Sequence, residues 1–328
     1  MDLDETDRAL PASAKILDAA ATAAALPWTH LLPALAALFA RGCEVPPRHV
    51  HEVPVPGGQS FTSLIMPAWI PGRYYGIKTI NIAPGNATRG LPGLHASYAL
   101  FDGTTGAPLA MIDGDVITQR RTAAASALAS RWLARADARH LLVAGAGRIA
   151  RLLPAAYRAV HAIDRVSVWA RDPAQAQALA AALQRDGMPA QAATDLQAAC
   201  GQADIVSCAT LATQPVVHGA WLRPGTHLDL IGSFTPGMRE ADDACFAGAA
   251  VYVDTEEALK KSGDLLGPMA RGVFTAQDLR GTLATLARGE TPGRASPQER
   301  TVFKSVGTAL EDLAAAILVY ESATSVPA

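Results

Sequence analysis

The chain has 328 residues, of which half are hydrophobic and 18% charged, with a formal net charge of -2. This length suits two packed cores rather than one, and so much apolar and so little charged sequence excludes a disordered chain. A near-neutral balance with no dense Lys/Arg run excludes a general nucleic-acid or membrane-surface binder, either of which needs a basic face. In chain order, the acidic start MDLDETDRAL has neither the basic nor the apolar region of a secretory signal, so a cytoplasmic location is expected. The apolar stretch 19–40 is interrupted by Pro27, His30 and Pro33 and is too broken to cross a bilayer; it predicts two helical segments.

From Arg48 to Met111, Gly, Pro and Thr separate the β-like runs FTSLIMPAW, YYGIKTINIA and ASYALF, which predicts a separate, largely antiparallel module. A helix over 121–136, RTAAASALASRWLARA, joins it to the next block of the chain. From Leu141 the pattern changes to short apolar runs, LLVAGAG, VSVWAR, ADIVSCAT, THLDLIG and AVYVDT, separated by helical stretches at 173–185 and 196–201 and a segment near 216–222. That alternation predicts a doubly wound parallel sheet and an α/β fold class. Over 300–328, Val302, Val306, Leu310, Leu313, Ile317 and Tyr320 recur at helical spacing and predict an amphipathic C-terminal helix. Cys43, Cys200, Cys208 and Cys245 are widely spaced with no C-x-x-C pair, so neither a metal site nor a disulfide framework is expected.

The chemistry begins at Gly145-Ala146-Gly147-Arg148-Ile149-Ala150, which follows the apolar strand LLVA and opens a helical segment. This context makes GxGxxA a dinucleotide-binding loop. The first glycine permits a tight turn, the second lets backbone N–H groups approach a pyrophosphate, and Ala150 is small enough for close helix-sheet packing. Pro154 removes a backbone donor from that helix and is expected to kink it. At the end of the second strand stands Arg171, with Asp172 only after it. An Arg here suits a 2'-phosphate, so NADP(H) is favoured and NAD(H) is allowed, with Asp172 free to bind ribose or to cap the next helix. Three cations of the first module, Arg48, Lys78 and Arg121, suit the carboxylate of a small substrate, and Lys78 can also donate a proton.

Several strings together resemble the ornithine cyclodeaminase/mu-crystallin family: PPR ending at Arg48, LIMPAW around Met66, GIKTIN around Lys78, PGN ending at Asn86, and GLPGLHASYALFD. ITQRRTAAASA, VAGAGRIA, GSFTPGMRE and VFKSVGTALEDLAAA continue the match in the same order. The resemblance implies a homodimer in which a Rossmann domain, 122–300, is inserted in an α+β dimerisation and substrate domain formed by 1–121 and 301–328. It implies that Arg48 and Arg121 grip the substrate carboxylate, that Lys78 carries chemistry, and that Met66 lines the substrate. His95, Ser97, Thr122, Arg171, Thr210, Ser233 and Ser305 are similar to positions near the nucleotide.

One loop departs from the cyclodeaminase pattern. Where that pattern reads G-G-D-x-P-G-K, this chain has Gly232-Ser233-Phe234-Thr235-Pro236-Gly237-Met238. Phe234 cannot exchange a proton or orient an ammonium group. Asp229 on the preceding strand is the alternative carboxylate, and strand alternation leaves its direction open. The GSFTP form resembles the family branch that reduces cyclic ketimines, with Phe234 as an apolar wall for a small ring. The expected partner is thus a cyclic imino acid or an amino acid. The alternatives are ornithine cyclodeamination with catalytic NAD, an amino-acid dehydrogenase, and a non-catalytic binder of NADPH or a small ligand.

Overall fold

A computed structural model describes residues 13–324. The acidic start read above as lacking a secretory signal, and the last four positions of the expected C-terminal helix, lie outside the described residues. The first half contains β1 (Lys15–Leu17), α1 (Ala19–Ala24), α2 (Trp28–Arg41), β2 (His49–Val53), β3 (Phe61–Ile70), β4 (Tyr74–Ile82), β5 (Leu94–Asp102), β6 (Pro108–Asp113) and α3 (Gly114–Leu133). There follow β7 (His140–Ala144), α4 (Arg148–Arg158), β8 (Arg165–Trp169), α5 (Pro173–Arg185), β9 (Ala190–Ala192), α6 (Leu196–Gln202), β10 (Ile205–Cys208) and β11 (His227–Leu230). The chain closes with β12 (Ala250–Val253), α7 (Ala258–Lys261), α8 (Gly263–Ala270), β13 (Gly281–Thr282), α9 (Leu283–Ala287), β14 (Thr301–Lys304) and α10 (Ala309–Thr324).

The chain divides into two compact units. One comprises 1–27, 43–118 and 312–328, and is built on a six-stranded sheet in the order β1-β6-β5-β4-β3-β2. Its neighbours are antiparallel except for β1, which runs parallel to β6. The β-branched and aromatic runs of β3, β4 and β5 form the expected module because alternate residues can be buried on one face. Met66, Ala68, Tyr74, Ile80, Tyr98, Leu100 and Ile112 are buried there.

The other unit, 28–42 and 119–311, holds an eight-stranded sheet in the order β13-β12-β14-β11-β10-β7-β8-β9. All of its strand pairs are parallel. All five predicted strands are present, and their near-continuous burial explains why they read as apolar runs rather than alternations. The chain order reverses between β7 and β10, which makes the carboxyl ends of those strands the switch point where doubly wound sheets bind ligands.

Three readings need correction. The expected boundary at 121 leaves α2 with the first unit, whereas Leu31, Leu32, Leu35, Leu38 and Phe39 bury a face of α2 in the second unit, beside α9. The helix predicted from Arg121 starts at Gly114, because the Asp113 carboxylate accepts a hydrogen bond from Val116 N at 2.8 Å and caps it. The continuous helix predicted over 300–328 is a strand, a turn and a helix. TVFK of β14 slots between β11 and β12, Gly307 turns the chain at φ +77°, and α10 begins at Ala309. Val302 matches a helical repeat by spacing but is buried as a strand residue. Around Pro154, α4 runs unbroken as one element from Arg148 to Arg158.

Candidate active site

The glycine loop closes on the switch point. Gly145 has φ +130°, and a Cβ there would lie 2.5 Å from the carbonyl oxygen of Ala209, just beyond β10. Only glycine allows the two strand ends to approach so closely. Gly147, in contrast, faces open space, since a Cβ on it would meet nothing within 4 Å. It caps α4 without any side-chain hydrogen bond, and the first i→i-4 bond of the helix is Arg151 N to Gly147 O at 3.2 Å. An open approach onto a helix N-terminus with no side-chain cap is the geometry that receives a phosphate, so the loop fits a dinucleotide. Ala146, Arg148 and Ile149 complete its rim, while Ala150 is fully buried.

Arg171 is exposed just beyond β8. Asp172 caps α5 by accepting from Ala174 N at 2.9 Å, so of the two roles the sequence leaves open to it, the cap is filled.

Around the same strand ends, buried acids hold the loops. The Glu240 carboxylate accepts from Thr210 N at 2.7 Å, Thr210 Oγ1 at 2.8 Å and Gly232 N at 2.6 Å. Burial, opposed by the Lys304 charge, raises its carboxyl to about 7. Asp264 accepts from Glu240 N and Ala241 N, and Asp254 from Val306 N and Gly307 N. Lys304, fully buried, donates to Leu230 O at 2.9 Å and stands 3.7 Å from Asp264 Oδ2. The loop after β11 is pinned again by Ser233, whose hydroxyl donates to Met238 O at 2.6 Å and meets Ser262 Oγ at 3.0 Å. Gly263 makes room for this packing, since a Cβ there would lie 2.3 Å from Met238 O. Ser233 and Ser305 are thus buried members of the loops, whereas Phe234 projects from the same loop at 43% exposure.

Asp229 is fully buried and accepts from Ser126 Oγ at 3.0 Å, Tyr157 O–H at 3.0 Å and Ser207 Oγ at 2.5 Å. Burial lifts its carboxyl to about 6 against those three donors. It ties α3 and α4 to neighbouring strands and cannot replace a loop carboxylate.

The cations resolve differently. In the first unit, β4 places Lys78 on the buried face in register with Met66 and Tyr98. Lys78 is wholly buried, with Nζ 2.5 Å from Asp312 Oδ2, itself wholly buried. In the second unit, Arg121 NH1 lies 2.7 Å from Glu311 Oε2, and the guanidinium packs against Gly307, where a Cβ would come within 2.6 Å of it. Arg48 is half-buried just before β2, and Thr122 follows Arg121 half-buried on α3. His95 and Ser97 are exposed on β5, on the face opposite Lys78 and Tyr98. A ligand lying on one face of this sheet cannot touch both sets.

Glu240, Asp254, Asp264, Lys304, Glu311 and Asp312 are absent from the sequence reading. A signal for the last two exists: α10 is apolar almost all round, so acids in its first turn must be buried and therefore paired. The helix N-terminus adds favourable charge beneath them.

Residues 42–326 match the ornithine cyclodeaminase/mu-crystallin family. A Delta(1)-pyrroline-2-carboxylate reductase of Paracoccus denitrificans (strain Pd 1222) is 47% identical over 292 residues, covering 88% of this chain and 90% of the relative. Among solved structures, the Thermococcus litoralis Delta(1)-pyrroline-2-carboxylate reductase in complex with NADH and L-proline superposes with a TM-score of 0.88 at 32% identity, covering 94% of this chain and 97% of that one. An archaeal alanine dehydrogenase dimer with bound NAD superposes at 0.87 and 29% identity, covering 95% and 96%.

Proposed function

The chain belongs to the ornithine cyclodeaminase/mu-crystallin family, and from that premise we propose that it reduces a cyclic ketimine carboxylate with NAD(P)H. The substrate is Δ1-pyrroline-2-carboxylate or its six-membered homologue Δ1-piperideine-2-carboxylate, and the product is L-proline or L-pipecolate. The observation that carries this reading is Phe234. It occupies the loop position at which a cyclodeaminase keeps its carboxylate, and the nearest substitute in the chain, Asp229, is consumed by Ser126, Tyr157 and Ser207. Similarity to a reductase with that substrate in its name supports the same choice.

When bound, the reduced nicotinamide supplies a hydride. The chain's own residues do the rest. Arg48 and Arg121 hold the substrate carboxylate, and Glu311 fixes the plane of the Arg121 guanidinium before substrate arrives. Met66 and Phe234 give the ring apolar walls. Lys78 gives the ring nitrogen its proton. Gly145 to Ile149 cradle the pyrophosphate, while Thr122, Thr210, Ser233 and Ser305 border the nucleotide, Ser233 and Ser305 through the backbone of loops that their burial rigidifies. His95 and Ser97 fall outside the proposed nucleotide set, because they lie on the face of their sheet opposite Lys78.

Arg171 favours NADP(H), because Asp172 is engaged in capping and the exposed guanidinium suits a 2'-phosphate. The enzyme works as a homodimer through the outer face of the six-stranded sheet, where Pro67, Ile77, Ala99, Met111 and Ile16 form one row in register across the strands. Ile16 is 86% and Met111 45% exposed, more apolar surface than a solitary sheet face usually leaves in water. A cytoplasmic location accords with use of the cell's reduced nicotinamide pool.

The test is NADPH and NADH oxidation by pure enzyme with five- and six-membered cyclic ketimines, beside ammonia release from ornithine. Ketimine-dependent oxidation without ammonia release is expected. Ammonia from ornithine at a rate above that of ketimine reduction would reverse the assignment.

A further inference from the structure

Lys78 is a cation at full burial, which is tolerable only beside a compensating charge. The groups facing it come from each element packed on this part of the sheet. From β3 it meets Met66, which is uncharged, and from β5 it meets Tyr98. From α10 comes the carboxylate of Asp312 at 2.5 Å. Tyr98 carries no charge of its own at neutral pH. Burial first, and the Asp312 charge second, push its phenol well above the usual range, with Cys43 and Tyr75 adding to the shift. Gly76, two positions before Lys78, lets the Tyr98 ring lie flat across the strand, since a Cβ there would lie 2.0 Å from the Tyr98 hydroxyl. Asp312 is therefore the acid facing the one cation of this row.

The geometry points to Asp312 as the positioning residue that holds Lys78 protonated and aimed, so that Lys78 can serve as the proton donor of the reduction. This rests on the reading of the reaction given above. In that reaction a hydride adds to C2 of the ketimine, the C=N π pair moves onto nitrogen, and nitrogen takes a proton from Lys78 Nζ. Lys78 is left as a neutral amine beside the Asp312 carboxylate, which favours its reprotonation from water before the next turnover. The overall balance is ketimine, NAD(P)H and one proton in, amino acid and NAD(P)+ out.

The test measures Lys78 directly as well as through turnover. Protein labelled with 13C at lysine Cε is titrated by NMR, the Lys78 signal being the one lost in Lys78→Met. Asp312→Asn is expected to lower the Lys78 midpoint by about one pH unit or more, the shift an adjacent carboxylate produces. The basic limb of the kcat/KM profile should move down by the same amount, while NAD(P)H affinity stays within about twofold. Asp312→Glu keeps the charge but moves it by a methylene. It should hold the midpoint and KM and lose roughly tenfold in kcat, a loss of aim rather than of charge. An unchanged Lys78 midpoint in Asp312→Asn, or full kcat in Asp312→Glu, overturns the assignment. If the native enzyme reduces no ketimine yet the Lys78 midpoint still falls in Asp312→Asn, the pairing stands and the reaction assigned to it does not.

Discussion

Arg171 and Asp172 stand side by side at the end of β8, yet they do different work. Asp172 caps α5 through one carboxylate oxygen, and Arg171 is the residue proposed to meet the 2'-phosphate. A charge-assisted hydrogen bond to a 2'-phosphate contributes about 1.5–3 kcal/mol. Arg171→Ser should therefore raise the KM for NADPH roughly 10- to 100-fold and leave that for NADH within about threefold; equal losses for both cofactors would remove Arg171 from the choice. This position is legible in the sequence because a strand end and the residue after it are local features. The partners of Lys78 and Arg121 are not legible in that way. Asp312 lies 234 positions and Glu311 190 positions further along the chain, and only folding brings either within reach.

Among the elements, the loops after β10, β11 and β14 carry the predicted nucleotide contacts, and buried acids decide how rigid they are. Glu240 fastens two of these loops at once. Glu240→Gln keeps the shape but replaces one accepting oxygen by an amide nitrogen, leaving a buried N–H of Thr210 or Gly232 without an acceptor. A loss of about 1–3 kcal/mol in urea unfolding is expected. The pH dependence has a definite sign. The carboxyl rises from about 4.3 in the unfolded chain to about 7 when folded, so its contribution to stability is complete below about 4.3 and is lost as pH rises through 7. The difference between native and Glu240→Gln protein should accordingly be larger at pH 5 than at pH 8. A difference that grows with pH would mean that the carboxylate is held in its charged form throughout. The five predicted strands need only their own apolar runs to be found, whereas β14 reads as helix because TVFK is too short for its period to declare itself.

For the whole molecule, the proposed assembly is a homodimer through the outer face of the six-stranded sheet. Met111 lies between Ala99 and Ile16 in the row that starts at Pro67, so a charge there would be buried without a partner on the proposed association. Met111→Glu is expected to be a monomer by light scattering at micromolar concentration where the native protein is a dimer, with its secondary structure intact by circular dichroism. A variant that remains dimeric would move the interface elsewhere. The linear chain is enough to specify the doubly wound α/β sheet, the phosphate loop and the departure at Phe234. These depend on strand-length apolar runs, on glycine's freedom at Gly145 and on the chemistry of one side chain, all of which are local. It takes the folded chain to assign α2 to the second unit and to tie Asp229 into the core. Folding also gives each of the two cations, Lys78 and Arg121, its own acid on α10. Burial and long-range pairing govern such matters, and neither leaves a period or a spacing in the chain.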